Sequence, residues 1–515
     1  MNRHLSRRQL IGGALASGLT IRTASAATAS ATLFREVMLV EGTGATPRLA
    51  NVLTAGDRIV RITPPTARTA ATGARVVAGE GRVLAPGFID THTHGDPLDE
   101  SYDGFLAMGV TTVTLGVDGG GPRIKGDLDL RGWMRVADRA ALDLNVVTLA
   151  SHGTLRRAAR IPDSVRRPDT AAMARLEAQL DAELRAGAFG LSYGLEYVPG
   201  IYSETAELAA LGRIVARHGG VAMSHMRSEN DDEIEASIDE LIASAGPARP
   251  HISHLKVVFG KGEARARALL DFIAAKRRAG IDLTADAYPY NAGFTGIAIL
   301  FPQWALPPTD YATVLATRRA ELRDYLEKRM IRRGGPEMLL LGTGRHAGKT
   351  VAQAAQEAGL AFPDFLIQLG PNGGSGAHFT MDQALQDVLL LDPMVAISTD
   401  GGPSMRHPRS TGTYAKLIED YVVKARRIPI EEAVRKATSL PARILRLPDR
   451  GTIRPGAKAD LILFDPAKVR ARSTYLDPFA RAQGFDLVVV NGQPAFQNGQ
   501  RAARPGRLLR AVPGR

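Results

Sequence analysis

The 515-residue sequence contains no cysteine. Disulfide bonds, iron–sulfur clusters and thiolate metal ligands are therefore excluded. A chain of this length can bury a core large enough to fold without covalent crosslinks, so the absence does not argue against an exported protein.

Long apolar runs are also missing. No stretch approaches the ~20 apolar residues that a membrane-spanning helix requires, which predicts no membrane insertion. The formal net charge is +12, but no nucleic-acid recognition motif accompanies it. We therefore expect a small-molecule substrate and no nucleic-acid partner. The sequence makes no prediction of the oligomeric state.

Residues 1–26 have the organisation of an export signal. Arg7 and Arg8 precede an apolar run at 11–19 and the small-residue sequence Ala24-Ser25-Ala26, and the segment contains no Asp or Glu. A basic region, an apolar region and a cleavage site in this order are typical of secretory signals, and the paired arginines resemble a twin-arginine signal. We predict a periplasmic or secreted protein.

Two segments rich in short strands flank the centre of the chain. Residues 27–85 and 446–515 alternate short apolar runs with Gly, Pro and Asp, and Asn491-Gly492 is a hairpin-type turn. Neither segment is long enough to form a good core alone. We predict that the two pack together as one small β-sandwich.

The segment 86–445 alternates strands with amphipathic helices. This pattern predicts an α/β fold, a (β/α)8 TIM-type barrel whose active site lies at the C-terminal ends of the strands. A doubly wound sheet is the alternative, but no glycine-rich phosphate loop follows the first strand. The long interval before the last strand predicts an inserted lid at about 291–345, between strands 7 and 8. The predicted strands are 83–94, 111–118, 145–151, 189–195, 221–226, 251–256, 282–288 and 394–400.

The phrase PGFIDTHTH, at 86–94, gives the first indication of a metal site. Residues two apart on a strand share a face, so His92 and His94 can reach one ion together. Asp90 lies one step deeper on that face, where it would orient an imidazole or brace the barrel. Two neutral imidazoles suit a zinc-like ion, which they bind at about 2.0–2.1 Å.

Polar residues also end four other predicted strands. Asp118 ends the second strand, His225 and His254 lie at the ends of the fifth and sixth, and Asp400 ends the eighth. An isolated histidine at a strand end is usually a satisfied polar residue. Several buried polar groups at one barrel mouth would each need a partner, however, and a metal cluster satisfies them together. The set therefore predicts a metal centre.

These motifs resemble the amidohydrolase superfamily and, within it, the N-acyl-D-amino-acid deacylase (D-aminoacylase) branch. The resemblance extends from about residue 36 to residue 509. It implies a metal-dependent hydrolase that cleaves the amide bond of N-acyl-D-amino acids to a carboxylate and a free D-amino acid. The phrases that carry it are PGFIDTHTH (86–94), GVTTV (109–113), SHGTLR (151–156), SYGLEYVPG (192–200), SHMRSE (224–229), HISHLK (251–256), DAYPY (286–290), STDG (398–401), HPR (407–409) and RGTIRPGAKADLILFDP (450–466).

The resemblance also implies roles for individual residues. Asp400 would be a metal-proximal general base, Lys256 and Tyr288 would contact the substrate, and one or two Zn²⁺ ions would be bound. The implied metal ligands are His92, His94, His225 and His254. No lysine ends the fourth strand, which argues against the carboxylated lysine that bridges two metals in related amidohydrolases.

One position departs from the family pattern. D-aminoacylase-like enzymes usually have a cysteine ligand in a Gly-Asn-Cys-Gly phrase, whereas this chain has Asp118 at that place, in the phrase Gly-Val-Asp-Gly at 116–119. We hypothesise that Asp118 replaces the thiolate, because a carboxylate also binds zinc, at about 2.0–2.2 Å. Its harder oxygen ligands also suit Mn²⁺ or Co²⁺.

The expected chemistry is attack on the amide carbonyl by hydroxide that the metal generates at neutral pH. Asp400 would take the proton from water and return it to the leaving amine. The carboxylate of the substrate needs a cation, and arginine can bind it bidentately. Arg409 and Arg227 are therefore candidates for substrate binding, alongside Lys256 and Tyr288.

Two alternatives stay open at this point. One is another amidohydrolase reaction, the hydrolysis of a dipeptide, cyclic amide or lactone, because the aspartate at 118 makes a change of substrate credible. The other is a non-catalytic exported protein that binds a ligand or metal. That reading requires the loss of a catalytic group, yet the four histidines and Asp400 are all present.

Overall fold

The structure, a computed structural model, describes residues 31–67, 73–122 and 129–512. The predicted export signal at 1–26 lies outside the described residues. The described chain forms a sheet shared by its two ends, a ring of parallel strands surrounded by helices, and a unit inserted before the last strand of that ring.

The two ends of the described chain share one nine-stranded sheet. Strand Val83–Pro86 joins them, because it pairs in parallel with the first strand and antiparallel with Leu461–Phe464. Leu461 and Leu463 lie two residues apart and both enter the core of this sheet. Its strands are Ala31–Leu39, Arg48–Ala55, Arg58–Thr63, Arg75–Ala78, Val83–Pro86, Leu461–Phe464, Phe485–Val490, Gln493–Gln497 and Gln500–Arg501.

The predicted barrel is confirmed. Its strands are parallel, and two contacts join the two hydrogen-bonded groups into a ring: Phe189 N donates to Thr148 O (2.9 Å), and Thr93 forms a parallel bridge with Gly401. The barrel strands are Phe88–Asp90, Val110–Leu115, Asn145–Thr148, Gly190–Gly194, Val221–His225, Arg249–Ile252, Thr284–Ala287 and Val395–Ile397, with Ala150–Ser151 extending the third.

Helices cover the outside of the ring and account for its burial. The helix Thr170–Arg185 is typical: Leu176, Leu180 and Leu184 lie on one buried face, and Asp169 caps its first turn. The other helices are Asp103–Ala107, Leu130–Ala137, His152–Ala158, Thr205–Arg217, Ile234–Ala245, Gly262–Arg278, Tyr311–Arg332, Val351–Glu357, Phe362–Leu369, Gln383–Leu391, Arg409–Lys416, Ile430–Ala437 and Ser439–Ile444, with a π-helical segment at Leu417–Lys424.

The predicted first barrel strand, 83–94, is wrong in its bounds. The chain changes partner at Gly87: Gly87 N donates to Asp460 O in the terminal sheet, whereas Phe88 N donates to Gly109 O in the barrel. A side chain at Gly87 would collide with Thr111, whose atoms lie 2.2 Å from the position of a Cβ. The apolar run is therefore split between two sheets.

The prediction that His92 and His94 lie on a strand is also wrong, because the barrel strand ends at Asp90. Residues 92–94 are instead joined by backbone hydrogen bonds to the loop that follows the last barrel strand. Asp400 N donates to His92 O (2.9 Å), and His94 N donates to Gly401 O (2.7 Å). The first and last strands of the ring thus bring their polar ends together.

The inserted unit has a sheet and a core of its own. Its strands Gly293–Gly296, Leu339–Leu341 and Ser375–His378 are antiparallel, with the last in the centre. The helix Tyr311–Arg332 packs on this unit through Leu322 and Leu326. The insertion extends to His378, beyond the predicted limit of 345, because its central strand comes last in the sequence.

None of the helices in the described parts of the chain is both long enough and apolar enough to span a bilayer.

Candidate metal centre

Two histidines and two carboxylates meet where the first, second and last barrel strands end. His92 Nε2 lies 3.2 Å from Asp118 Oδ2 and 3.6 Å from Asp400 Oδ1. His94 Nε2 lies 3.5 Å from the same oxygen of Asp118 and 3.1 Å from the same oxygen of Asp400. All four ligand atoms lie within 4.8 Å of one another.

A second group shares Asp118 with the first. His225 Nδ1 lies 3.0 Å from His254 Nε2, and that nitrogen of His254 lies 3.5 Å from Asp118 Oδ1. Asp118 therefore presents one oxygen to each pair of histidines. The structure brings together all six residues that the sequence proposed for the metal centre.

The spacing of these atoms fits a divalent cation. Metal–ligand bonds of about 2.0–2.2 Å in a tetrahedral site place neighbouring ligand atoms roughly 3.3–3.6 Å apart. The four distances between a histidine nitrogen and a carboxylate oxygen in the first group are 3.1, 3.2, 3.5 and 3.6 Å. Asp118 Oδ1 is also buried without a hydrogen-bond partner among the described residues. A cation would satisfy it, whereas the contact with His254 Nε2 at 3.5 Å is too long for a good hydrogen bond.

Three of the six residues have left-handed backbone angles. The φ values are +52° at Asp118, +37° at His254 and +48° at Asp400. Non-glycine residues adopt such angles rarely and at an energetic cost. Each position lies two or three residues beyond the end of a barrel strand, and the turn there directs the side chain towards the barrel mouth, so the backbone conformation forms part of the site.

Asp90 braces the site. Its Oδ1 accepts hydrogen bonds from His92 N (3.2 Å) and Thr399 N (3.0 Å), and its Oδ2 accepts from Thr399 Oγ1 (2.6 Å). Burial raises the pKa of Asp90 to about 7, against the opposing effect of these donors. Asp90 thus links the chain segments that carry His92 and Asp400, and it supports the backbone rather than an imidazole.

Glu229 was not assigned a role from the sequence, although it ends the SHMRSE phrase. Its Oε1 lies 3.0 Å from His254 Nδ1 and 2.6 Å from Lys256 Nζ. Burial tends to raise the pKa of Glu229, but the charges of Lys256, His225 and His254 lower it well below its usual value. An ionised carboxylate at Nδ1 fixes the ring of His254 so that Nε2 faces the metal centre.

Arg409 contacts Asp400 directly. Its Nη1 lies 2.7 Å from Asp400 Oδ2, and its guanidinium lies 4.7 Å from the centre of the Tyr288 ring. Burial tends to raise the pKa of Asp400, but the charges of Arg409 and His254 outweigh it and hold the pKa far below its usual value. Asp400 is therefore ionised at neutral pH.

The other residues predicted to bind substrate have different surroundings. Lys256 Nζ contacts Glu229 Oε1, His254 Nδ1 (2.7 Å) and His254 O (3.2 Å). The Tyr288 hydroxyl has a single weak contact, with Met381 Sδ at 3.9 Å. Arg227 is ion-paired with Glu240 (2.9 Å) and lies in the outer part of the cavity. The structure therefore brings Lys256, Tyr288 and Arg409 to the centre but not Arg227.

A cavity leads from the metal centre to the surface. Its inner part has a volume of about 50 Å³ and reaches Asp118, His225, His254 and Asp400. Its outer part has a volume of about 760 Å³ and is covered by residues of the insertion. Both parts are lined by Glu196 and Tyr197, whose role the sequence did not indicate. Glu196 Oε2 lies 2.9 Å from His225 Nε2.

The barrel and its cluster of histidines and carboxylates have counterparts in known proteins. A sequence model of the amidohydrolase family matches residues 386–496. The N-acyl-D-glutamate deacylase of Alcaligenes xylosoxydans xylosoxydans is 32% identical over 497 residues, covering 92% of this chain and 95% of the relative. The D-aminoacylase of the same organism is 30% identical, covering 90% of this chain and 95% of the relative.

A solved structure shows the same fold. The N-acyl-D-glutamate deacylase from Bordetella bronchiseptica, crystallised with zinc and a phosphonate that mimics the tetrahedral intermediate, aligns with a TM-score of 0.81 and 27% identity. The alignment covers 94% of this chain and 100% of that protein. The fold and the site thus define the protein as a metal-dependent amidohydrolase. Within that class, the chain belongs to the family of N-acyl-D-amino-acid deacylases, as the resemblance implied.

Proposed function

We propose that this protein hydrolyses the amide bond of N-acyl-D-amino acids, releasing a carboxylate and a free D-amino acid. The observation that carries the proposal is the convergence of His92, His94, His225, His254, Asp118 and Asp400 at one barrel mouth. The full-length similarity to deacylases supports the choice of reaction. No observation favours another amidohydrolase reaction or a non-catalytic binding protein.

The six residues would hold divalent cations in two adjacent sites that share Asp118. His92, His94 and Asp400 complete one site, and His225 and His254 complete the other. We propose Zn²⁺ as the ion, and the carboxylate at position 118 makes Mn²⁺ and Co²⁺ acceptable as well. When bound, such a cation polarises the amide carbonyl and makes water a stronger acid.

Asp400 performs the proton transfers. Because Arg409 keeps its carboxylate ionised, it can accept a proton from the attacking water. The same carboxyl group then donates that proton to the nitrogen of the departing amine, which is a poor leaving group without it. The backbone hydrogen bond from Asp400 N to His92 O holds the base next to the ligands.

Tyr288 and Arg409 would orient the substrate. Both are buried beside Asp400, and the Tyr288 hydroxyl lacks a strong partner among the described residues. The position of a Cβ at Gly293, which lines the inner cavity, is 3.7 Å from that hydroxyl. A carboxylate in this corner would accept a hydrogen bond from Tyr288. The insertion, which covers the outer cavity, would act as a lid.

Metal-reconstituted protein tests the proposal. We expect release of acetate from N-acetyl-D-amino acids and much slower release from the L-enantiomers. Asp400→Asn should lower kcat by about 10²- to 10⁴-fold, the usual contribution of acid–base catalysis. Asp324→Asn, on the exposed face of the helix Tyr311–Arg332, is a matched control that should keep full activity. Absence of hydrolysis of every N-acetyl-D-amino acid by the wild type would reject the function.

A further inference from the structure

The cations predicted to bind the substrate are already paired with carboxylates of the protein. Lys256 is paired with Glu229, and Arg227 with Glu240. Arg409 is paired with Asp400, the proposed base. Lys256 Nζ also lies next to His254 Nδ1 and His254 O, at 2.7 and 3.2 Å. Each of these cations thus already has a carboxylate of the protein beside it.

Arg333 differs from them. It follows the helix Tyr311–Arg332 of the insertion and lines the inner cavity together with His254 and Asp400. Its side chain is almost wholly inside the protein, since the residue is 8% exposed. Among the described residues it has no ion pair, and its buried Nε has no hydrogen-bond partner. Its Nη2 lies 3.4 Å from His378 Nδ1.

Arg333 keeps its charge and lacks a directly paired carboxylate among the described residues. Burial and the charge of Arg333 hold the pKa of His378 well below its usual value, so His378 is a neutral acceptor. Glu196 and Glu229 line the same cavity and their charges act favourably on Arg333, but among the described residues neither forms an ion pair with it. Burial and the charge of Arg329 lower the pKa of Arg333 to about 10, so the guanidinium stays protonated at neutral pH, and it makes no ion pair among the described residues.

A second arginine increases the positive charge along the path to the site. Arg329 lies one helical turn before Arg333 and lines the outer cavity. Like charges at this spacing repel each other. The Nε of Arg329 is also buried without a partner among the described residues. The helix thus presents one arginine to the outer cavity and one to the inner cavity.

We propose that Arg333 binds a carboxylate of the substrate. A buried, unpaired guanidinium is costly, and an anion in the inner cavity would remove that cost. The planar group can hold a carboxylate through two parallel hydrogen bonds. The carboxylate is either the α-carboxylate, which every N-acyl amino acid carries, or a second one on an acidic side chain. The proposal rests on the proposed hydrolysis of N-acyl-D-amino acids.

Two substrates and two variants test it. N-acetyl-D-glutamate and N-acetyl-D-glutamine are nearly the same size, and they differ in the charge of the side chain. Arg333→Met removes the guanidinium but keeps the bulk, and Arg333→Gln serves if the first variant does not fold. Arg332→Met is the matched control, because Arg332 is the preceding residue, has a half-exposed side chain and lies 3.8 Å from Asp232. The measurements are kcat, KM and the melting temperature of each metal-loaded protein.

The expected result is a loss of about 10- to 100-fold in kcat/KM, mostly through KM, as for a lost hydrogen bond to a charged group. A loss confined to N-acetyl-D-glutamate identifies the side-chain carboxylate, and an equal loss with both substrates identifies the α-carboxylate. Arg332→Met should leave kcat/KM unchanged for both substrates. Because Arg333 forms no ion pair in the described part of the chain, Arg333→Met should keep or raise the melting temperature.

Unchanged kcat/KM values for both substrates in a folded Arg333 variant would overturn the proposal and leave the deacylase function intact. Wild-type protein that hydrolyses neither these substrates nor any other N-acetyl-D-amino acid would overturn both. A fall in melting temperature with unchanged kinetics would show that Arg333 is structural.

Discussion

Asp118 Oδ2 lies 3.2 Å from His92 Nε2, although 26 residues separate them along the chain. The other carboxylate oxygen faces His254 at 3.5 Å. Burial tends to raise the pKa of Asp118, but the charges of His92 and His254 lower it well below its usual value. An ionised carboxylate between two pairs of histidines is suited to bridge two cations.

The first prediction concerns this bridge. Asp118→Ala should lower the bound metal from two equivalents to one or none, because both sites lose a ligand. Asp118→Cys should restore much of the metal, since a thiolate also binds zinc. Metal content after dialysis, measured by mass spectrometry, provides the test. Unchanged stoichiometry in Asp118→Ala would exclude Asp118 as a ligand.

The pH dependence of activity should reveal the contact between Arg409 and Asp400. Arg409 helps to keep the pKa of Asp400 low, so in the wild type the base stays ionised as the pH falls through the mildly acidic range. Arg409→Met should raise that pKa, and the acid limb of kcat/KM should move to higher pH by about one unit or more.

The control for this experiment is Arg472→Met, at an exposed position, which should leave the profile unchanged. The bound metal also lowers the pKa of Asp400, but it is present in every protein compared. Parallel profiles that differ by a constant factor would mean that Arg409 affects substrate binding without affecting the ionisation of Asp400.

Export is predicted from the sequence alone, through Arg7 and Arg8. Replacing both with lysine should leave the uncleaved precursor in the cytoplasm, because twin-arginine signals are read by a receptor that requires the pair. Cell fractionation and determination of the N-terminal residue of the exported protein provide the measurement. Normal export of the double variant would contradict the assignment. Replacement of Arg22, near the predicted cleavage site, is the control.

The sequence predicted most residues of the site because they follow the C-terminal ends of parallel strands. Such ends meet at one face of a barrel, so polar residues after separate apolar runs were expected to converge. The exact ends of the strands could not be predicted, because an apolar run does not show where the backbone turns. The positive φ angles of Asp118, His254 and Asp400 supply those turns. Hence residues predicted on strands lie just beyond them.

Partners that come from other loops could not be predicted. The spacing of the HISHLK phrase suggests that Lys256 points into the site, but not that Glu229 neutralises it. Arg333 lies far from every motif, and its position depends on how the insertion packs over the barrel. A pattern along the chain identifies which side chains can bind a ligand, whereas the tertiary structure decides which of them are already paired.

The last prediction tests the support that Glu229 gives to His254. Glu229→Gln should weaken metal binding by about 10- to 100-fold, as loss of a group that orients a metal-bound histidine does. The variant also leaves Lys256 buried without a counter-ion, which should lower the melting temperature. Glu229→Gln combined with Lys256→Met should recover the melting temperature but not the metal affinity, since only the loss of stability depends on the charge of Lys256. Glu263→Gln, at an exposed pair with Arg267, is the control. Wild-type metal affinity in Glu229→Gln, measured by competition with a chelator, would show that His254 is oriented without Glu229.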